Sequence, residues 1–314
     1  MNFLEYLFSG LTVLILILGT CTNYGDSYFP EWFLQIFRYG RANKASGKKW
    51  LIRTIEIPKS WFAHFYIYAV VLQGLVLYEL IGVYTAPSPS QAASRSWLRQ
   101  VLYFVGGFNR SLKVDSTTSL LASTLFFLHV LRRLYECWFV SVYSGNKMNV
   151  LHYMMAITHY TGCILSLLAH SVGFVGDPAL PPVAPEVWTL SLDNLNIFHY
   201  WGLFLFMYGS FEQYRAHRQY ADLRKGKGNE VATLTHQIPR GGLFEKVSSP
   251  NYWAEIIIYA SLCVIFAFMN PTWNGVFIWV LCNQIVSGTM NHKWYQRTFP
   301  DYPKSRKAII PYLW

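Results

Sequence analysis

Long apolar runs almost free of charge alternate with short basic stretches from one end of this chain to the other. Seven runs are readable, roughly Phe3–Cys21, Phe62–Tyr84, Thr118–Tyr143, Val150–Val175, Ile197–Phe211, Tyr252–Met269 and Thr272–Met290. Each lies near the ~20 residues that a helix needs to cross a hydrocarbon core, the fifth being short. The pattern predicts an all-α integral membrane protein with about seven transmembrane helices, built as a single domain over residues 1–314. Only 13% of the residues are charged, about half the share usual in a soluble domain. Two soluble domains, which the length alone would permit, are therefore disfavoured.

Local signals refine the boundaries. The first run begins with Glu5 rather than a basic segment and has no clear small-residue cleavage site, so it reads as a span and not a signal peptide. Asn270-Pro271 separates the last two runs, and proline can neither donate to a helix nor let its neighbour stay helical, so a tight hairpin is expected there. The five cysteines, Cys21, Cys137, Cys163, Cys263 and Cys282, lie in or beside apolar runs without metal-ligand spacing, which predicts buried thiols and no metal site.

The net charge of +10 is distributed by side. Twenty Lys and Arg fall in the first, third and fifth loops and the tail, against four in the second loop and none in the other segments of that side. Cytosolic loops carry the positive excess, so the N-terminus is expected in the lumen and the C-terminus in the cytosol. Attraction to anionic lipid accounts for much of such a face, and there is no basic-aromatic platform for nucleic acid. Asn109-Arg110-Ser111, a glycosylation triplet, falls on the side expected to be lumenal.

Ionisable groups inside an apolar run are the most informative residues, because each costs about 2.5–3.5 kcal/mol or more at mid-membrane. The third run reads F-L-H-V-L-R-R-L-Y-E-C-W, and His129, Arg132, Arg133 and Glu136 recur at three- and four-residue steps, on one helical face. An Arg–Glu pair within the helix explains part of this, but a cluster so dense must line protein or an aqueous cavity. Further polar groups follow in E-Q-Y-R-A-H-R (212–218) and L-R-K (223–225), at Asn251 and Glu255, and in the tail N-H-K-W-Y-Q-R-T-F-P-D-Y-P-K-S-R-K (291–307). Arg and Lys beside Tyr, Asn and His suit a phosphorylated cofactor with an aromatic ring, since guanidinium forks match phosphate geometry.

At these residues the chain resembles the steroid 5α-reductase family. The resemblance rests on the ending D-Y-P-K-S-R-K-A-I-I-P-Y-L-W (301–314), on I-P-R-G-G-L-F-E-K-V-S-S-P-N-Y-W-A-E (238–255) and on R-Y-G-R (38–41). It covers essentially the whole chain. Within the family, L-R-R-L-Y-E-C-W-F-V-S-V-Y-S (131–144), H-F-Y (64–66), Q-Y-R-A-H (213–217) and V-S-S-P-N-Y (247–252) look most like the branch that reduces polyprenols. That resemblance implies a multi-pass enzyme of the endoplasmic reticulum, NADPH as hydride donor, and a polyprenoid lipid substrate on the way to dolichol, the lipid carrier of protein glycosylation. No G-x-G-x-x-G occurs, so the cofactor is expected among the spans, mostly in the C-terminal half (198–314).

Carried over by motif, the implied cofactor residues are Gln213, His217, Arg224, Asn251, Glu255, Tyr295 and Arg306. The steroid-reducing members have Asn and Asp where Gln213 and His217 stand. Glu56 falls where the family has a glutamate that helps to polarise the substrate carbonyl. The family tyrosine that follows the histidine matching His129 is replaced here by Val130, leaving His129 or Tyr135 to supply a proton.

Hydride adds poorly to an isolated alkene but readily to one conjugated with a carbonyl, because charge then develops on an oxygen that donors can stabilise. For a polyprenoid this favours the α,β-unsaturated aldehyde over the allylic alcohol. Reduction of a steroid enone or an unsaturated acyl thioester is the nearest competing expectation. A membrane methyltransferase or a transporter follows, though a transporter would carry inverted repeats, which are not visible.

Overall fold

The computed structural model describes residues 2–30, 56–107, 110–143, 147–175, 184–225, 231 and 233–314. The R-Y-G-R stretch (38–41) and Asn109 lie outside these residues. Among the described residues the chain is all-α apart from one small two-stranded ribbon. In chain order its longer helices are α1 (Phe3–Tyr24), α2 (Phe62–Tyr84), α3 (Pro89–Arg95), α4 (Trp97–Gly106), α5 (Ser116–Tyr135), α6 (Val150–Leu168), α7 (Ile197–Asp222), α8 (Pro250–Ile265) and α9 (Pro271–Thr298). Two stretches among the described residues, Phe3–Tyr24 and Lys59–Tyr84, are long and apolar enough to cross a membrane by length and composition.

The helices start where side chains can satisfy the orphan amides of a first turn. Asn2 and Glu5 form a reciprocal capping box on α1, and Asp115 accepts the Thr118 amide at 2.9 Å to open α5. Asn149 and Asn196 cap α6 and α7 in the same way. Asn270 accepts the Trp273 amide at 3.0 Å with Pro271 in the first turn, so the hairpin expected at this dipeptide becomes the start of α9. The chain reverses just before it, through Ala267 and Phe268, both left-handed at φ 46° and 61°.

Several expected boundaries differ: α6 stops at Leu168 rather than Val175, α9 runs on to Thr298 rather than Met290, and two further differences bear on the site. The fifth run, read as ending at Phe211, continues helical to Asp222, so Gln213 and His217 lie on a helix and not at its frayed end. The third run was expected to reach Tyr143, but α5 ends at Tyr135 and passes into a π-helical turn over Glu136–Val140.

The most extensive pairings are α7 with α8, α1 with α9, and α2 with α5. Close approach of α7 to α8 depends on small residues: a Cβ on Gly202 would meet Ile265 Cγ1 at 2.3 Å and the Ser261 carbonyl at 2.9 Å. At the centre Tyr259 and Trp273 stack with ring planes 4° apart, and Phe126 meets both edge-on. The ribbon pairs β1 (Glu56–Pro58) antiparallel with β2 (Lys147–Asn149), setting Glu56 opposite Asn149.

Candidate active site

Helical periodicity on α5 brings four ionisable residues together, and the neighbouring helices close around them. Glu136 is fully buried and is the hub: Arg132 Nη1 and Arg133 Nη1 each donate to one of its two oxygens. His217 Nδ1 of α7 lies 2.6 Å from the same carboxylate and 2.7 Å from Arg133 Nη1, so that nitrogen serves one partner at a time. Arg132 Nη2 also donates to the Gln213 side-chain oxygen, whose amide nitrogen donates to Glu255 of α8. Two arginines thus face two carboxylates. Such a group tolerates removal from water only because each charge has a partner.

His129 completes this layer. A guanidinium only donates, so the 3.3 Å contact of Arg132 Nη2 makes His129 Nδ1 the acceptor and leaves the hydrogen of the neutral ring on Nε2. That nitrogen is buried without a hydrogen-bond partner among the described residues, 3.7 Å from Glu255 Oε1.

Beside the cluster lies a cavity of about 280 Å³. Lys59, Phe62, Arg133, His217, Arg224 and Asn251 contribute to its wall, which therefore draws on α2, α5, α7, α8 and the segments flanking them. Among the described residues, Asn251 Oδ1 is buried with no donor facing it, and Arg132 Nε is a buried donor with no acceptor. Arg224 Nη1 bonds the Val142 carbonyl at 2.5 Å, tying the end of α7 to the irregular segment that leaves the π-helical turn.

Of the residues singled out in the sequence, Gln213, His217, Asn251, Glu255 and His129 therefore meet in one place with Arg132, Arg133 and Glu136, and Arg224 joins them at the cavity. Tyr295 and Arg306 belong to an adjoining layer formed by the tail. Tyr295 is fully buried and stacks on Tyr302 at 5.2 Å, and Arg306, also buried, bonds the Pro239 carbonyl at 2.9 Å and pairs with Glu245 at 3.4 Å. Ser248 anchors the same layer through Tyr302 at 2.6 Å. The Gly241 amide and the Arg306 guanidinium hold the Glu245 carboxyl below the usual carboxylate range. Glu56 sits on the ribbon three residues before Lys59 of the cavity wall. Tyr135 is half exposed and packs against Phe139, on the side of α5 away from the cluster.

One residue to which the sequence reading gave no role belongs here. Tyr66 of α2 is buried, its hydroxyl accepts from Arg133 Nε at 3.1 Å, and the guanidinium lies 5.1 Å from its ring centre. Its only signal in the sequence was membership of the H-F-Y stretch.

A family profile described as 3-oxo-5-alpha-steroid 4-dehydrogenase matches residues 187–314, the part that contains α7, α8, α9 and the tail. Over nearly its whole length the chain is similar to polyprenal reductases. That of Drosophila melanogaster is 33% identical over 317 residues, covering 99% of this chain and 93% of the relative. Those of Xenopus tropicalis and Homo sapiens are each 33% identical, covering 96% and 90% of this chain and 94% and 86% of theirs. With that likeness spread over the whole fold, the chain belongs to the steroid 5α-reductase family, alongside the polyprenal reductases.

Proposed function

We propose that this protein reduces the α-isoprene double bond of a polyprenoid, taken as the α,β-unsaturated aldehyde, with NADPH as reductant, in the synthesis of dolichol. The observation that carries the reading is one cavity lined by Arg133, His217, Arg224 and Asn251 beside a buried two-arginine, two-carboxylate cluster, in a chain of this family. Among the described residues the Asn251 oxygen is an acceptor and Arg132 Nε a donor without a partner, and the guanidinium groups suit phosphate oxygens, so the residues present fit a phosphorylated nicotinamide cofactor. A volume of about 280 Å³ is at the lower end for a small-molecule site, enough for a ring and its nearest substituents.

In this reading Gln213, His217, Arg224, Asn251 and Glu255 hold the cofactor, with Tyr295 and Arg306 supporting that wall through the tail. NADPH, when bound, supplies a hydride to the β carbon of the substrate. The chain's own task is to meet the charge that then develops on the aldehyde oxygen, and Glu56 orients the group that does so. His129, held between Arg132 and Glu255, belongs to the wall between cofactor and substrate. Tyr135, half exposed on the far side of α5, is poorly disposed for proton transfer at this cavity.

The membrane setting is part of the proposal: seven spans in the endoplasmic reticulum, N-terminus lumenal and cavity open to the cytosolic side. It is supported by the apolar runs, by the two helices of spanning length, and by the asymmetry of basic charge. The family profile keeps a steroid enone as the second reading, reached by the same chemistry. Purified protein supplied with NADPH or NADH, and with polyprenal, polyprenol or a steroid enone, separates them. Saturation of polyprenal with NADPH is expected; exclusive reduction of the enone, or no reductase activity, refutes the proposal.

A further inference from the structure

Resting on the cofactor reading above, we infer that His217 holds the cofactor's anionic groups as an imidazolium backed by Glu136, so that each cofactor captured brings one proton into the site. The cavity wall carries the cations Lys59, Arg133 and Arg224 and two imidazoles, His217 and His236, with no carboxylate among the described residues that line it. The charge that balances the arginines lies behind the wall, on the fully buried Glu136. His217 stands between the two, beyond the apolar run that ends at Phe211.

The two nitrogens of this ring have different surroundings. Nδ1 belongs to the cluster, 2.6 Å from Glu136 Oε2 and 2.7 Å from Arg133 Nη1. No described residue bonds Nε2, and with 15% of the side chain open that nitrogen is reached from the cavity. The two contacts of Nδ1 demand opposite protonation. A guanidinium only donates, so the Arg133 contact needs a lone pair on Nδ1; a carboxylate only accepts, so the Glu136 contact needs a hydrogen there. With no anion alongside, Arg132 and Arg133 satisfy both Glu136 oxygens, and two guanidinium charges outweigh one carboxylate. That excess of positive charge disfavours a further proton, so the ring is neutral, with its hydrogen on Nε2 and Nδ1 accepting from Arg133.

An anion in the cavity reverses the balance. Phosphate oxygens accept from Nε2–H and draw toward themselves the Arg133 guanidinium, which already lines the wall. Nδ1 then loses its donor and is left with Glu136, which requires Nδ1–H. With an acceptor at each nitrogen the ring takes a proton from solvent and becomes a cation between two anions. The other charges around it are Arg132 of α5, Lys59 ahead of α2 and Arg224 just past α7, while Glu255 of α8 connects through Gln213. His236 packs edge-on against Trp294 at 5.1 Å. Binding therefore tightens by up to about tenfold for each unit that pH falls, and the gain is lost as pH rises past the point where the bound imidazolium gives up its proton.

The test is calorimetric titration of detergent-purified full-length protein with NADPH at pH 7.4, in PIPES and in Tris, whose protonation enthalpies differ. The buffer dependence gives the protons taken up. Wild type is expected to take up about one proton more than H217Q, which keeps a hydrogen-bonding side chain but does not titrate, while H236Q keeps the wild-type count. Nicotinamide fluorescence should show the wild-type Kd falling between pH 8 and pH 6, with a flatter profile in H217Q; titration of the cofactor's own phosphate is common to both. Equal proton counts in wild type and H217Q, or loss of uptake in H236Q instead, overturn the assignment to His217 and leave the cofactor reading intact. Wild-type protein that binds no NADPH at any pH removes that reading and this one together. If H217Q fails to fold or to bind, the wild type decides with H236Q: a Kd that stays level from pH 8 to pH 6 without proton uptake overturns the inference.

Discussion

Replacing Glu136 with glutamine tests the cluster most directly. The substitution keeps shape but removes the charge shared by Arg132 and Arg133, and it turns an amide donor toward two guanidinium groups that also only donate. Breaking a buried ion pair by removing one partner costs about 3–5 kcal/mol, because the other charge stays buried without compensation. Glu255 offsets a part of this through Gln213 and His129, so the low end, about 3 kcal/mol, is the reasonable expectation. For a chain of this size that lowers the midpoint of thermal unfolding by roughly 6 °C. Glu212, paired at 3.1 Å with the half-exposed Arg215, is the control: Glu212→Gln should cost about 1 kcal/mol or less. The assay is thermal unfolding of detergent-purified protein with and without NADPH. In the function proposed above, cofactor phosphates bring negative charge to Arg133 at the cavity wall, so saturating NADPH should narrow the gap between E136Q and wild type. An E136Q midpoint within a degree of wild type, or a gap that NADPH leaves unchanged, would refute the claim that this carboxylate is the hub.

Glu56→Gln should lower single-turnover reduction of the aldehyde by roughly 100-fold with NADPH affinity nearly unchanged; a wild-type rate would return Glu56 to a purely interfacial role. Gly202→Val should destabilise by about 1–3 kcal/mol in unfolding experiments, because the new side chain meets Ile265 and the Ser261 carbonyl, whereas Gly10→Ala, with open space around it, should be neutral or slightly stabilising. The Glu245 carboxyl is held below the usual carboxylate range in the folded state, so its contribution is fully present above the ordinary carboxylate value of 4.5 and is lost as pH falls through the folded value. Faster hydrogen exchange at the Gly241 amide below that pH, after correction for intrinsic rates, and its absence in Glu245→Gln, would bear this out. In sealed endoplasmic reticulum vesicles, added protease should trim the tail (291–314) without permeabilisation; trimming only after permeabilisation would reverse the orientation.

Much of this molecule was legible in one dimension. A helix repeats every 3.6 residues, so the His129–Arg132–Arg133–Glu136 face could be read from spacing alone, as could the start of α9 at Asn270-Pro271. The motifs 238–255 and 301–314 identified the family. Other features depended on which helices meet. Gln213 reaches Arg132 and Glu255 only because α7 continues past its apolar run and packs closely on α8 across Gly202 and Gly209. Tyr66 looks like one more aromatic of an apolar span until α2 lies against α5 and sets its hydroxyl on Arg133. Tyr135 sits in the middle of the charged stretch, yet helix rotation turns it outward, since one residue's step moves a side chain about 100° around the axis. Local sequence determines the conformation of each segment and the face on which its polar groups fall, because capping and periodicity act over a few residues. Which faces confront one another, and hence which charges share a partner, is decided by packing between helices far apart in sequence.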